Sequence, residues 1–115
     1  MYAKSSTNPY NIAFTVQRIG HDYLFVISGG ELDGGPHIGA VAVAYRDKGE
    51  LKADTMGLPG HKESELTRES ALLAATKLET TCTVICGIHI DQATNEQISE
   101  IVEYVRSCFY NLLEV

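Results

Sequence analysis

The segment HIGAVAVAYRD, residues 37–47, constrains the fold most, because both of its sets of alternating residues are largely apolar. In a β-strand, successive side chains point to opposite faces of the sheet. One face of this predicted strand carries small or aliphatic side chains: Ile38, Ala40, Ala42 and Ala44. The other carries His37, Gly39, Val41, Val43 and Tyr45. The alanine face allows a helix or another sheet to approach closely, and the valine face is too apolar to be left in water. We therefore expect both faces of the sheet to be covered.

The remaining segments predict the element order β-β-β-β-α-β-α. Residues 11–20 alternate between apolar and polar and form a hairpin with the next strand, a polar edge strand follows residue 49, and a helix runs to about residue 79. The last helix begins with Thr94 and Gln97 at the spacing of a capping box. Two amphipathic helices cover one face of a sheet of about five strands. The predicted fold is a two-layer α+β class with a mainly antiparallel sheet and both helices on one face.

The uncovered face of this predicted sheet carries Val41, Val43 and Tyr45. An apolar sheet face of this kind is typical of an interface between identical subunits. We therefore expect a homodimer.

Length and charge limit the possible functions. A chain of 115 residues predicts a single domain, 1–115, of which residues 1–10 are expected to be flexible. The net charge of −6 and the scattered lysines and arginines argue against a nucleic-acid-binding protein. No apolar run approaches the ~20 residues that span a membrane, and the N-terminus lacks the apolar core of a secretory signal. A cytoplasmic protein is the expectation.

The cysteines and serines indicate no catalytic nucleophile. Cys82 and Cys86 are four residues apart in a predicted strand, so they share a face but lie too far apart for a disulfide. Cys108 falls on the apolar stripe of the last helix. We expect all three to be reduced core residues. No serine lies in a nucleophile-elbow motif.

Three histidines lie at the ends of predicted elements. His37 follows a glycine-rich loop, His61 stands at the entry of the first helix, and His89 lies near the end of the strand before the last helix. Ligands gather where strands end and helix N-termini point. Lys62 could bind an anion such as phosphate there, while Glu63, Glu65 and Glu69 are expected to face outward. The residues alone leave an anion site, a metal site and ordinary surface histidines open.

Three strings, ISGGELDGGPHIGAVAVA, GLPGHKESEL and CGIHID with the capped helix after it, resemble the prenylated-flavin chaperone family. Its members are the small D-type subunits that accompany UbiD-type aromatic-acid decarboxylases, gallate decarboxylase among them. The resemblance spans about residues 25–105, and PHIGAVA and PGHK are its most distinctive strings.

This resemblance implies a protein that binds prenylated FMN, with the help of a metal ion, and holds it for an apo UbiD-type decarboxylase. It implies no chemistry by the chaperone itself. It also implies a dimeric α/β fold that is similar to small proteasome-assembly chaperones. Position by position, it assigns cofactor binding to Gly34, Gly35, His37, Gly60, His61 and Lys62, and a divalent metal to His37, His61 and His89.

Two other functions fit the same residues. A small metal-dependent enzyme could use His37, His61 and His89 as metal ligands, with a metal-bound water as the nucleophile. A protein assembly factor would instead use the apolar sheet face to bind a partner.

Overall fold

A computed structural model of the protein describes residues 10–30, 37–59 and 62–114. Its elements follow the predicted order: β1 (Ala13–Ile19), β2 (Asp22–Gly30), β3 (Ala40–Asp47), β4 (Glu50–Gly57), α1 (Ser64–Leu78), β5 (Cys82–His89) and α2 (Asn95–Leu113). In this part of the chain, no helix combines the length and the apolar character needed to cross a bilayer.

The five strands form one mixed sheet in the order β1-β2-β5-β3-β4. The pairs β1–β2, β3–β4 and β3–β5 are antiparallel, and the pair β2–β5 is parallel. The β1–β2 hairpin, the edge position of β4 and the α+β class with a mainly antiparallel sheet are therefore confirmed. The parallel pair arises because β3, β4 and α1 together form the long connection that parallel neighbours need.

Helix α1 packs across β3, β4 and β5 through small side chains. Its buried residues are Leu66, Thr67, Ser70, Ala71, Ala74 and Ala75. They face the fully buried alanines of β3, Ala40, Ala42 and Ala44. Small residues on both surfaces let the helix lie close to the sheet, as the alanine face predicted. The larger leucines of α1, Leu72, Leu73 and Leu78, are only half-buried at the margin of the core.

Helix α2 covers the other half of the same sheet face. Its predicted capping box is present: the Gln97 amide donates to Thr94 Oγ1 (3.1 Å) and the Thr94 amide donates to Gln97 Oε1 (2.8 Å). The ring of Phe109 lies 5.1 Å from that of Phe25 and 6.2 Å from that of Phe14, measured between centroids. These aromatic contacts fix α2 over β1 and β2.

The opposite face of the sheet faces away from both helices and carries an apolar patch. The strand register places Val26, Ile85, Val41 and Met56 in one row across β2, β5, β3 and β4. Leu24 and Val43 lie in the next row, which also contains Thr83 and Asp54, and Met56 is 68% exposed. We call the surface of these six residues the open sheet face.

The three cysteines are free. Cys82 and Cys86 are completely buried between the sheet and the helices, and Cys108 is half-buried on α2. Burial raises the pKa of the Cys82 thiol to about 11 and that of the Cys86 thiol to about 12. These thiols are protonated and unreactive near neutral pH, as expected of reduced core residues.

Candidate functional site

Four strands and both helices begin or terminate at the same end of the sheet. The parallel strands β2 and β5 finish side by side, with Gly30 opposite His89. Strand β3 is antiparallel to β5, so its first residue, Ala40, lies opposite Cys86 near the same end, and β4 ends there with Gly57. Helix α1 follows β4 and helix α2 follows β5, so both helices begin at this end of the sheet. We use the term strand-end site for the surface formed here by His37, Lys62, Glu63 and His89.

His37 and His89 are neighbours in the strand-end site. Their ring centroids are 5.3 Å apart, and the ring planes are tilted by 34°. The main chain at His37 can approach β5 because position 87 is glycine: a Cβ at Gly87 would collide with the carbonyl oxygen of His37. On the other side of β5, Gly30 has φ +98°, and a Cβ there would collide with the carbonyl oxygen of His89. The fold therefore brings together two of the three histidines that the sequence singled out.

Glu63 points into the site, and the prediction that it faces outward is wrong. Its Oε2 accepts the main-chain N–H of Ile88 at 3.1 Å, and its carboxylate occupies the space where a Cβ of Gly39 would lie. Glu63 is the N-cap residue of α1, but its side chain does not cap the helix. The carboxylate turns inward because the glycine leaves room and because the Ile88 amide needs an acceptor. Glu65 and Glu69 are exposed, as predicted.

The inward position of Glu63 also has an electrostatic effect. Burial is the main cause of the raised pKa of Cys86, and the negative charge of Glu63 raises it further. Thr67 donates its amide (2.8 Å) and its hydroxyl (2.7 Å) to the Glu63 carbonyl oxygen, which fixes the main chain of this residue. Glu63 thus joins the start of α1 to the end of β5.

A cavity of about 370 Å³ opens beside these residues, between the end of β5 and the first turns of α1 and α2. Its walls are mainly aliphatic and include Leu66, Ile88, Ile90, Ile98, Ile101 and Val102. Its polar side consists of Lys62, Glu63, His89 and Gln92. Sequence reasoning missed this cavity. The available signal was the pair of isoleucines on either side of His89, together with apolar residues in the first turns of α2.

Lys62 is exposed beside the start of α1. Within the described residues, the side chain of Glu63 makes no capping hydrogen bond to the main-chain amides in the first turn of α1. Free amides at a helix N-terminus and an ammonium group both favour a bound anion.

The other predicted site residues, Gly34, Gly35, Gly60 and His61, lie outside the described residues. Within residues 10–30, 37–59 and 62–114, no three histidine, cysteine, aspartate or glutamate side chains are grouped so as to hold a metal ion. The three-histidine metal site, which needs His61, remains a prediction.

Comparison with known proteins gives two matches. The sequence model described as the prenylated flavin chaperone LpdD-like domain matches residues 6–115. Protein LpdD of Lactiplantibacillus plantarum (strain ATCC BAA-793 / NCIMB 8826 / WCFS1) is 30% identical over 95 residues, which cover 78% of this chain and 65% of that protein. The matched region thus spans just under two thirds of the length of this relative.

Proposed function

The chain belongs to the family of prenylated flavin chaperone LpdD-like domains, and from this membership we propose that it binds prenylated FMN at the strand-end site. We further propose that it holds the cofactor for an apo UbiD-type decarboxylase. The family is one of chaperones, which agrees with the expectation of a cofactor-binding protein that is not an enzyme. The observation that carries the proposed location is the pairing of His37 and His89 beside an apolar cavity at the start of α1.

The residues of this site fit the chemistry of the cofactor. Prenylated FMN joins a largely apolar ring system to a ribityl chain that ends in a phosphate. Lys62 and the amides at the start of α1 suit the phosphate, since both favour negative charge. The aliphatic cavity offers a surface that suits an apolar edge of the ring system. When bound, the flavin would be cargo, and the chain's own residues would orient it and shield it from water.

A metal ion is the second part of the proposal. The net charge of −6 repels a phosphate at long range, so local positive charge has to offset this repulsion. A divalent ion held by His37, His61 and His89 would supply that charge and bridge the protein to the phosphate. The contact between the rings of His37 and His89 supports the involvement of two of these ligands.

The open sheet face is proposed to form a homodimer. Its six residues are apolar and belong to the four strands other than β1, and the row from Val26 to Met56 crosses all four strands without a polar residue. Pairing of two copies through this face would remove it from water. The strand-end site, which lies where the strands terminate, would stay accessible. The same face would bind a different protein if the chain were an assembly factor.

A titration of the purified protein with prenylated FMN tests the proposed function. Binding would be followed by absorbance and by the thermal unfolding midpoint, with and without EDTA. Saturable binding is expected, weakened at least tenfold in His89→Ala and in Lys62→Ala, because a charge-assisted contact contributes about 1.5–3 kcal/mol.

His21→Ala is the matched control. His21 is an exposed histidine in the β1–β2 turn, at the opposite end of the sheet, and its removal should leave binding unchanged. Absence of saturable binding by the unaltered protein, in either metal condition, would overturn the proposed function. Binding that EDTA leaves unaffected would remove the metal from the proposal and leave the flavin site in place.

A further inference from the structure

The cavity beside the strand-end site has the wrong chemistry to take the phosphate of a flavin nucleotide. Its volume of about 370 Å³ is near the low end of the roughly 300–1,000 Å³ typical of small-molecule pockets. A phosphate would lose its hydration against the aliphatic walls and gain few donors in return. One apolar end of a larger ligand is therefore the part that fits.

The walls of the cavity favour an aliphatic ring over a flat aromatic one. Among the described residues that line it, His89 is the one with a flat ring, and phenylalanine, tyrosine and tryptophan are absent. They present branched side chains from three elements: Leu66 of α1, Ile88 of β5, and Ile98, Ile101 and Val102 of α2. Leu66 and Ile101 are almost completely buried, at 6% and 8% exposure. Ile98 and Val102 are half-buried.

The prenyl modification gives the flavin such an aliphatic part. The five-carbon isoprenoid unit closes a saturated ring at one edge of the isoalloxazine, and FMN itself lacks this ring. We propose that the cavity receives the isoprenoid-derived ring, and that its aliphatic walls make the protein select prenylated FMN over FMN. This inference rests on the proposed function, and it adds Ile98, Ile101 and Val102 as specificity-determining residues.

The expected ratio of the affinities for prenylated FMN and FMN follows from the number of carbon atoms that are buried. Burial of one methylene multiplies a binding constant by about fourfold. Complete burial of five such carbons would therefore favour prenylated FMN by at most about a thousandfold. The cavity is partly open to solvent, so burial is incomplete, and a preference of at least about tenfold is the expected result.

Two substitutions in the full chain test the inference. Ala93→Leu adds bulk at a half-buried position of the cavity lining, and Val102→Thr replaces a methyl group of the wall by a hydroxyl at similar volume. Dissociation constants for prenylated FMN and for FMN would be measured by absorbance titration. Thermal unfolding would confirm that each variant is folded. Ser99→Leu adds the same bulk at an exposed position of α2 and is the control for Ala93→Leu.

The expected result is a loss of preference: Ala93→Leu and Val102→Thr bind prenylated FMN at least about fivefold more weakly, while their affinity for FMN stays unchanged. Ser99→Leu should bind prenylated FMN and FMN as the unaltered protein does. Folded variants that keep the full preference would overturn the inference, and so would an unaltered protein that binds both flavins equally. An unaltered protein that binds neither flavin would overturn the proposed function itself. The two failures are therefore distinguishable.

Discussion

Gly39→Ala is expected to destabilise the protein chiefly by displacing the carboxylate of Glu63. A Cβ at position 39 would collide with both carboxylate oxygens. The main chain at Gly39 is outside the left-handed region, so alanine adopts its conformation without strain. Gly39 also keeps its own hydrogen bond, from its amide to the Cys86 carbonyl at 2.8 Å, when it is changed to alanine. The perturbation therefore acts mainly on Glu63.

The magnitude follows from the contact that is lost. The Ile88 amide donates to Glu63 Oε2 at 3.1 Å, and a hydrogen bond to a charged acceptor contributes about 1.5–3 kcal/mol. Gly39→Ala and Glu63→Ala should each lower the free energy of unfolding by about 2 kcal/mol. Both changes remove the same bond, so the double variant should also lose about 2 kcal/mol rather than about 4. The corresponding fall in the melting temperature is about 8 °C.

Urea denaturation of the four proteins, followed by circular dichroism, measures this double-mutant cycle. Glu65→Ala is the matched control, because Glu65 is exposed in the same turn of α1 and should change the free energy of unfolding by less than about 0.5 kcal/mol. If the effects of Gly39→Ala and Glu63→Ala add in the double variant, the glycine and the carboxylate act independently. The account of Glu63 as the link between α1 and β5 would then be refuted.

Three further changes probe other parts of the chain. Thr94→Ala removes the capping box of α2 and should lower the free energy of unfolding in urea by about 1 kcal/mol, whereas the exposed Ser99→Ala should have little effect. Val41→Asp places a charge in the middle of the open sheet face and should convert a dimer to a monomer in light scattering; a dimer that survives it would contradict the proposed interface. Burial raises the pKa values of Cys82 and Cys86 to about 11 and about 12 from 9.0. The stability that the folded state gains by keeping these two thiols protonated should therefore be complete below pH 9. It should be lost as pH rises above 9, by up to about 1.4 kcal/mol per pH unit for each thiol, and an equally steep alkaline loss in Cys82→Ala/Cys86→Ala would contradict this origin.

The elements of this fold were predictable because their signals are local. Alternation identified β1 and β3, and the spacing of Thr94 and Gln97 identified the start of α2. The parallel pairing of β2 with β5 was not predicted, because the two strands are about fifty residues apart and no local pattern specifies which distant strand will be the neighbour. The inward residues of α1 were also hard to predict. Small side chains such as Ser70 and Ala74 carry little hydrophobic signal, although close packing on the sheet needs them.

The strand-end site shows where reasoning from residue chemistry is insufficient. Histidines and a lysine at element ends directed attention to the end of the sheet where His37 and His89 meet. The sequence reasoning placed Glu63 in solvent, because a carboxylate beside a helix start is usually a surface charge. Its inward position depends on Gly39, which comes from a different strand and leaves the space that the carboxylate fills. Gly87 has the same role for the main chain of His37, and so decides how near that residue lies to His89. The geometry of the site is therefore specified as much by the missing Cβ atoms of two buried glycines as by the side chains that would contact a ligand.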